Sequence, residues 1–488
     1  MSAAIDYGRL DIDLYKDQTI DVSVAGGHTY SNKAIGTPLA AAPVYWFLRR
    51  FTPIRHDAPL SRRARYICRI VTTTLPYALT GVVMFRLLVN FGAVPMDAFL
   101  TLLAYAFGTI AWIHASMFSG HQMAANFGFL SFAAVWFASR RGSSPPVWFL
   151  AGLSAGLAAL ADYTAIFMAV VLVMYSIVKS SRRPQWIAFI LGGAVMAVIL
   201  MAYNRRCFGG PLSFSYANLG YGEFAEGSRR GILGVVLPNP SAFLNLLISP
   251  SRGIFFIMPV FLMSIPGFAA LARCSTKSQP EFGRAELATI SVIVIGYLLI
   301  DAGFYGWHGG WTFGPRYLVP MLPFAILPIA FALDRRWLAA LLAVSFAQVA
   351  LAQVVMPHTP EDIKNPVLEC LIPLFHEDYF SENVMSRFAD IHGVVSFVPW
   401  IFGVVALIAI AYRRIPRDGP ASTPSASRAP LYIFPLVGIA IGLLSIRTAD
   451  EHTVHYYRSQ LLGHAAYVQR SPTLARNAVE EKLMSDAP

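Results

Sequence analysis

Residues 185–203 read QWIAFILGGAVMAVILMAY, nineteen residues without a single charge. Arg182 and Arg183 precede the run, and Arg205 and Arg206 follow it. At ~1.5 Å per residue, a helix of this length reaches across a hydrocarbon core of roughly 30 Å. In a soluble protein so uniform an apolar surface has no place to go. The stretch therefore predicts a membrane span, with basic residues at its ends.

Working outward, similar runs recur along the chain. They predict spans at 67–90, 97–115, 121–138, 147–161, 164–178, 185–203, 254–272, 287–305, 317–333, 337–356, 395–412 and 431–447. Strand-like alternation is absent, so helices rather than a barrel are expected. Composition agrees. Hydrophobic residues make up 56% and charged residues only 13% of the 488, against roughly 25% charged in soluble domains. The expected fold is all-α and polytopic, with about twelve transmembrane helices and a cap of long loops and short interfacial helices on one face.

The formal charge of +11 does not point to nucleic acid, because no nucleic-acid motif accompanies it. Most of the basic residues instead sit in short loops between spans. Arg140 and Arg141, then Lys179, Arg182 and Arg183, then Arg273, Lys277 and Arg284, then Arg335 and Arg336, then Arg413, Arg414 and Arg417 share one side of this topology. By the positive-inside rule that side is cytoplasmic. The long loops 204–253, 306–316 and 357–394 and the polar tail 448–488 then face outward. Long loops gathered on one face mark where function is expected.

Residues 1–66 form a first region, 67–447 the transmembrane domain and 448–488 a polar, periplasmic tail. Residues 34–48 read either as a helix lying at the outer interface or as a first span with residues 1–33 inside, followed by the Arg-rich stretch 49–65. No signal-peptide pattern is present, so one further helix ahead of Met1 is expected. Cys68, Cys207, Cys274 and Cys370 have neither metal nor redox spacing.

Three outer segments carry groups that a span-and-loop architecture does not need. The first holds Asp11, Asp13 and Asp21, then His28-Thr29-Tyr30-Ser31-Asn32-Lys33. A carboxylate here suits a general base, and Lys33 a phosphate site. A solvated, turn-rich segment accounts for the same residues. The second runs from Tyr203 through Arg206 to Leu212 and resumes at Ser249-Pro250-Ser251-Arg252-Gly253. Arg206 and Arg252 suit phosphate, or simply snorkel to headgroups. The third is Tyr305-Gly306-Trp307-His308-Gly309-Gly310-Trp311-Thr312-Phe313-Gly314-Pro315-Arg316-Tyr317. Trp belts are ordinary at interfaces, but this density of Gly, His and Arg exceeds a belt, and Trp faces suit sugar rings. His114, His121 and Asp162 sit on the same face. Interfacial ionisable groups are functional candidates, although the two His give no metal-site spacing.

Tyr30 to Gly36 resembles the Tyr-x-x-Lys-x-Pro/Ile-Gly segment of GT-C glycosyltransferases. Gly306 to Tyr317, Asn204 to Leu212 and Ser249 to Gly253 resemble outer-loop patterns of the same superfamily. Its nearest members are bacterial family-39-like enzymes, similar to protein O-mannosyltransferases and the aminoarabinose transferase of lipid A. The resemblance implies a bacterial cytoplasmic-membrane enzyme with its active site on the periplasmic face. It would take a sugar from a polyprenyl-phosphate carrier among the membrane lipids. A carboxylate removes the acceptor proton, the hydroxyl attacks the anomeric carbon, and configuration inverts. On this reading Asp21, Asp11 and Asp13, in that order, are candidates for the base. Lys33, Arg206, Arg252 and Arg316 face the phosphate. Tyr30, Trp307, His308, Trp311 and Tyr317 face the sugar or acceptor. Asn32 stands where relatives often have an acidic residue, which weakens a metal-assisted route but leaves a divalent cation open as cofactor. The competing readings are a transporter or flippase, against which the chain shows no internal repeat, and an assembly subunit, which predicts that Asp21, Lys33, Arg252 and Arg316 do not converge.

Overall fold

The structure, a computed structural model, describes residues 1–416 apart from 20, 52–61, 221, 277–281, 332–333, 362, 377–378, 382, 384 and 387–388. The predicted span 431–447, the tail 448–488 and most of the Arg-rich stretch lie outside the described residues.

Among the described residues five helices are long and apolar enough to cross a membrane: Ala64–Asn90, Arg183–Phe208, Arg284–Gly303, Arg335–Val354 and Val394–Arg414. Shorter apolar helices fill other predicted spans, at Pro95–Gly108, Pro145–Ala161 and Ala165–Lys179. Only 17% of the apolar window of Arg183–Phe208 is buried by protein, and Leu191, Val195 and Val198 point outward. Such a surface is stable only against another apolar phase. The protein is thus a helical, membrane-associated one.

The helices pack through small residues. A Cβ on Gly152 would stand 1.8 Å from the Phe189 carbonyl oxygen, and one on Gly192 2.1 Å from that of Phe149. Glycine at both positions lets Pro145–Ala161 and Arg183–Phe208 cross with their backbones nearly touching.

Prolines break two of the predicted spans. Residues 254–272 divide at Pro259 into Ile254–Ile257, a 3₁₀ turn Pro259–Met263 and Ser264–Thr276. Within the predicted span 317–333, the described residues to 331 form a 3₁₀ turn, a short α-helix and another 3₁₀ turn around Pro320, Pro323 and Pro328. Proline removes an amide and clashes with the preceding turn, which accounts for both breaks. A further departure from all-α is a hairpin, β1 (Val22–Ala25) with β2 (His28–Ser31), closed by Gly26 and Gly27 at φ 58° and 81°.

Contacts sort the helix ends into two sets. At one end Arg335 pairs with Asp97 at 2.9 Å, Lys179 with Glu286 at 2.7 Å, and Gln185 Nε2 donates to the Ser143 carbonyl at 3.2 Å. At the opposite end the Gln353 amide meets the Ser116 hydroxyl at 3.1 Å, and Phe313 N–H donates to the Pro357 carbonyl at 2.9 Å. Arg335, Lys179 and Gln185 thus lie at the helix ends away from Gln353 and Ser116.

Helix Gly36–Arg49 has fourteen residues. It packs beside Arg62–Arg69 through Ala41, Tyr45, Ala64 and Cys68. A π-helical turn, Ile70–Thr74, follows. There Thr73 and Thr74 donate hydroxyls to the carbonyls of Met117 and Ala115, and Arg69 Nη1 donates to that of Ser116. These bonds tie down the Ala115–Ser119 turn, which His114 and His121 flank.

Candidate functional site

Three backbones meet at the end away from the basic loops. A Cβ on Gly36 would lie 2.4 Å from Ala161 N, and one on Gly120 2.5 Å from Ala161 O. Only glycine permits this approach, and its result is to set Thr37, His121 and Asp162 side by side. Asp162 follows the last residue of helix Pro145–Ala161 in extended conformation. Its Oδ1 accepts from the Thr164 amide at 3.0 Å and the Thr164 hydroxyl at 2.9 Å, an Asx turn that starts the next helix. Its Oδ2 accepts from His121 Nδ1 at 2.5 Å. Burial works against ionisation of Asp162, but the adjacent imidazole and the Thr164 donors hold its pKa below the ordinary carboxylate value.

The third sequence segment arrives beside this pair. The Tyr317 ring stands perpendicular to the His121 ring, 5.3 Å between centroids, and Arg316 Nη2 donates to the Tyr317 hydroxyl at 3.0 Å. Arg316 Nε is buried without a partner. The His114 ring lies 6.2 Å from that of His121. Its Nδ1 is 3.2 Å from the Ser119 hydroxyl, and its Nε2 is buried with no partner.

Arg252 departs from its expected phosphate role. It is 1% exposed. Its Nε donates to the His308 carbonyl, Nη1 to those of Ser251 and Thr312, each at 3.0 Å, and Nη2 to that of Gly310 at 2.8 Å. The guanidinium is a clamp on the Gly-rich loop that carries Arg316. His308 faces Glu361 across 3.2 Å, and the hydrogen bond holds Glu361 below the usual carboxylate range. Trp307 and Trp311 are half-buried and pack against the main core.

Sequence reasoning missed Asp301. It sits in the last turn of Arg284–Gly303, 3% exposed, and neither carboxylate oxygen has a hydrogen-bond partner. Arg316 and Asp162 lie within electrostatic reach of it. The signal was available, since Asp301 is the sole charged residue in 287–305, and acidic groups inside spans are expensive.

The hairpin closes the site from the side. Ser23 Oγ donates to the Ser215 carbonyl and Ser215 Oγ to that of Asn32, both at 2.8 Å, and Tyr163 OH lies 3.3 Å from Ser215 Oγ. Asp21 pairs with Lys33 at 2.8 Å and lies within electrostatic reach of Arg316. Arg316 in turn neighbours Arg252. A chain of neighbours thus runs from Lys33 through Asp21 to Arg316 and on to Arg252.

Asp11 and Asp13 serve the hairpin instead. Arg9 bridges the two at 2.9 and 3.1 Å, His28 Nδ1 meets Asp13 at 2.8 Å, and the Thr29 amide donates to Asp13 Oδ1 at 2.7 Å. The ligating atoms of Asp11, Asp13 and His28 lie within 4.8 Å of one another, but a cation there would have to displace Arg9. Tyr30 is buried with its ring 5.4 Å from that of Phe208, so it presents little surface to a ligand. Arg206 is exposed nearby.

The His28 hydrogen bond and the Thr29 amide lower the Asp13 pKa from its ordinary 3.8. A depressed carboxylate stabilises the fold fully above its unfolded value and loses that contribution as pH falls through the folded value. Hydrogen exchange at the Thr29 amide should therefore stay protected until the pH drops below 3.8. In Asp13→Ala, protection should already be lost at neutral pH.

No protein-family model, no curated protein and no solved structure matches this chain.

Proposed function

We propose that the chain is an inverting glycosyltransferase of GT-C type. It moves a sugar from a polyprenyl-phosphate carrier to a hydroxyl acceptor at the outer face of a bacterial cytoplasmic membrane. The observation that carries this reading is the convergence of carboxylates, Arg316, Lys33 and aromatic rings at the helix ends opposite the basic loops. Leaving-group phosphate develops negative charge as the glycosidic bond breaks, and fixed cationic donors lower that barrier. Arg316, with an unsatisfied Nε, and Lys33 supply such donors. Carboxylates nearby suit hydroxyl activation, and a lipid-linked donor would reach them without leaving the bilayer. In this reading about twelve helices span the membrane, and the segments 1–33, 204–253, 306–316 and 357–394 form an outer cap.

The test is incorporation of radiolabelled sugar from polyprenyl-phosphate donors into cell-derived acceptors, using membranes that carry this chain. Lys33→Ala is expected to cut transfer about 10-fold or more, and Arg316→Ala about 10²-fold or more. No transfer from any donor would overturn the proposal.

A second reading, a transporter or flippase, draws on the two Pro-broken apolar segments 254–276 and 316–331. Broken helices commonly build transport sites. Lipid-linked sugar crossing proteoliposome membranes, with no covalent transfer, would favour it.

A further inference from the structure

The base expected from sequence is Asp21. In the structure Asp21 is engaged by Lys33 at 2.8 Å, and both side chains are about half exposed, at 48% and 52%. Its Oδ1 is already taken by Lys33 Nζ and approached by Asn32 Nδ2 at 3.4 Å. The site contains a better-arranged group.

We infer that His121, held by Asp162, is the proton acceptor of this site. The inference rests on the glycosyl-transfer reading and names the residue that activates its acceptor. Asp162 takes Nδ1 of the ring at 2.5 Å. That contact sets the tautomer with hydrogen on Nδ1 and leaves the Nε2 lone pair open. Asp162 is itself fixed by both Thr164 donors, so it cannot swing away. His121 stands in the first turn of Gly120–Arg141, begun by Ser119 accepting from the Gln122 amide. The Tyr317 ring at 5.3 Å and the His114 ring at 6.2 Å flank it edge-on. The His121 side chain keeps 23% of its surface exposed, enough for one ring edge to meet a hydroxyl. A base positioned by a buried carboxylate is the arrangement that hydroxyl activation requires.

The step balances as follows. The acceptor O–H breaks and its proton passes to His121 Nε2. The oxygen bonds to the anomeric carbon as the bond from that carbon to the phosphate oxygen breaks. The bonding pair leaves on the phosphate, whose charge faces Arg316. The imidazolium is neutralised by Asp162 and loses its proton to water. The titratable groups that face the ring are Asp162 at 2.5 Å, His114 and Tyr317.

The experiment uses the full chain in nanodiscs with polyprenyl-phosphate hexose and pentose donors and cell-derived acceptors. His121→Ala is expected to lower kcat by about 10²–10⁴ while donor KM changes less than about threefold. The acid limb of the pH–rate profile should vanish, and added imidazole should restore part of the rate. Asp162→Asn should lower kcat and displace that limb, as expected of a positioning residue. His121→Gln, a milder change, and retained donor binding by either variant separate lost chemistry from lost folding. A His121→Gln enzyme with wild-type kcat and an unchanged pH profile would overturn the inference and leave the glycosyltransferase reading standing. A wild-type chain inert toward every donor would overturn both.

Discussion

Asp301→Leu should raise the thermal midpoint of the protein by several degrees and abolish sugar transfer. The carboxylate is 3% exposed with neither oxygen hydrogen-bonded. Burying a polar group without a partner costs about 1–3 kcal/mol, and more when it is charged. The cost is increased by position, since Asp301 lies in the last turn of its helix, where the carbonyl ends of the dipole repel negative charge. Leucine has a similar volume and no unmet hydrogen bonds, so the replacement should release about 1–3 kcal/mol of that penalty. A residue so costly is retained where function needs it. Arg316 Nε, His114 Nε2 and Thr37 Oγ1 are likewise buried and unpartnered, and with Asp301 they form a set of open polar atoms. A polyhydroxyl sugar satisfies such a set with alternating donors and acceptors. Transfer should fall by at least about 10², and Asp301→Asn, which cannot accept at both oxygens, should fall nearly as far. Differential scanning fluorimetry beside the transfer assay decides the matter. A lower thermal midpoint would mean that the carboxylate has a structural partner. Unchanged transfer would place it outside the site.

Much of this was legible in the sequence, and the misses have physical causes. Apolar length finds helices that face lipid, so Arg183–Phe208 is located to within a few residues. It does not see proline's effect on segments buried inside the protein, and 254–272 and 317–333 therefore read as spans although the chain breaks there. The Gly-rich loop stands out in the sequence because Trp, His, Gly and Arg occur together in 305–317. What that pattern could not show is the division of labour between two arginines. Arg252 and Arg316 look alike in sequence, yet four carbonyls surround one, and the other keeps a buried Nε without a partner. Asp11, Asp13 and Asp21 formed the visible acidic cluster, and hairpin contacts absorb two of them. Asp162 and His121 are 41 residues apart and meet only because Gly36, Gly120 and Ala161 pack backbone to backbone. That approach depends on tertiary packing, which no local spacing encodes.

Arg252→Lys should be almost as damaging as Arg252→Ala, and this separates a clamp from a ligand. Were Arg252 a phosphate ligand, lysine would preserve the charge and much of the binding, because lysine binds phosphate well as a point charge. As a clamp, Arg252 uses the width of the guanidinium to reach carbonyls of Ser251, His308, Gly310 and Thr312 at once. A single ammonium cannot span those positions. Thr359 still donates to the Thr312 carbonyl at 2.9 Å, so that acceptor keeps one partner, whereas Gly310 and His308 lose theirs. Each buried carbonyl left unmet costs about 1–3 kcal/mol, and either variant should be destabilised by about 3 kcal/mol or more. The loop 306–316 then loses the contact that holds Gly309 and Gly310 at φ 77° and 63°, and with it the placement of Arg316 against Tyr317. Transfer should fall about as far as in Arg316→Ala, but the two should differ in protease sensitivity. Cleavage within 306–316 should increase in Arg252→Lys and remain at the wild-type rate in Arg316→Ala. Equal protection of the loop in both variants, with Arg252→Lys retaining most of its activity, would return Arg252 to the phosphate.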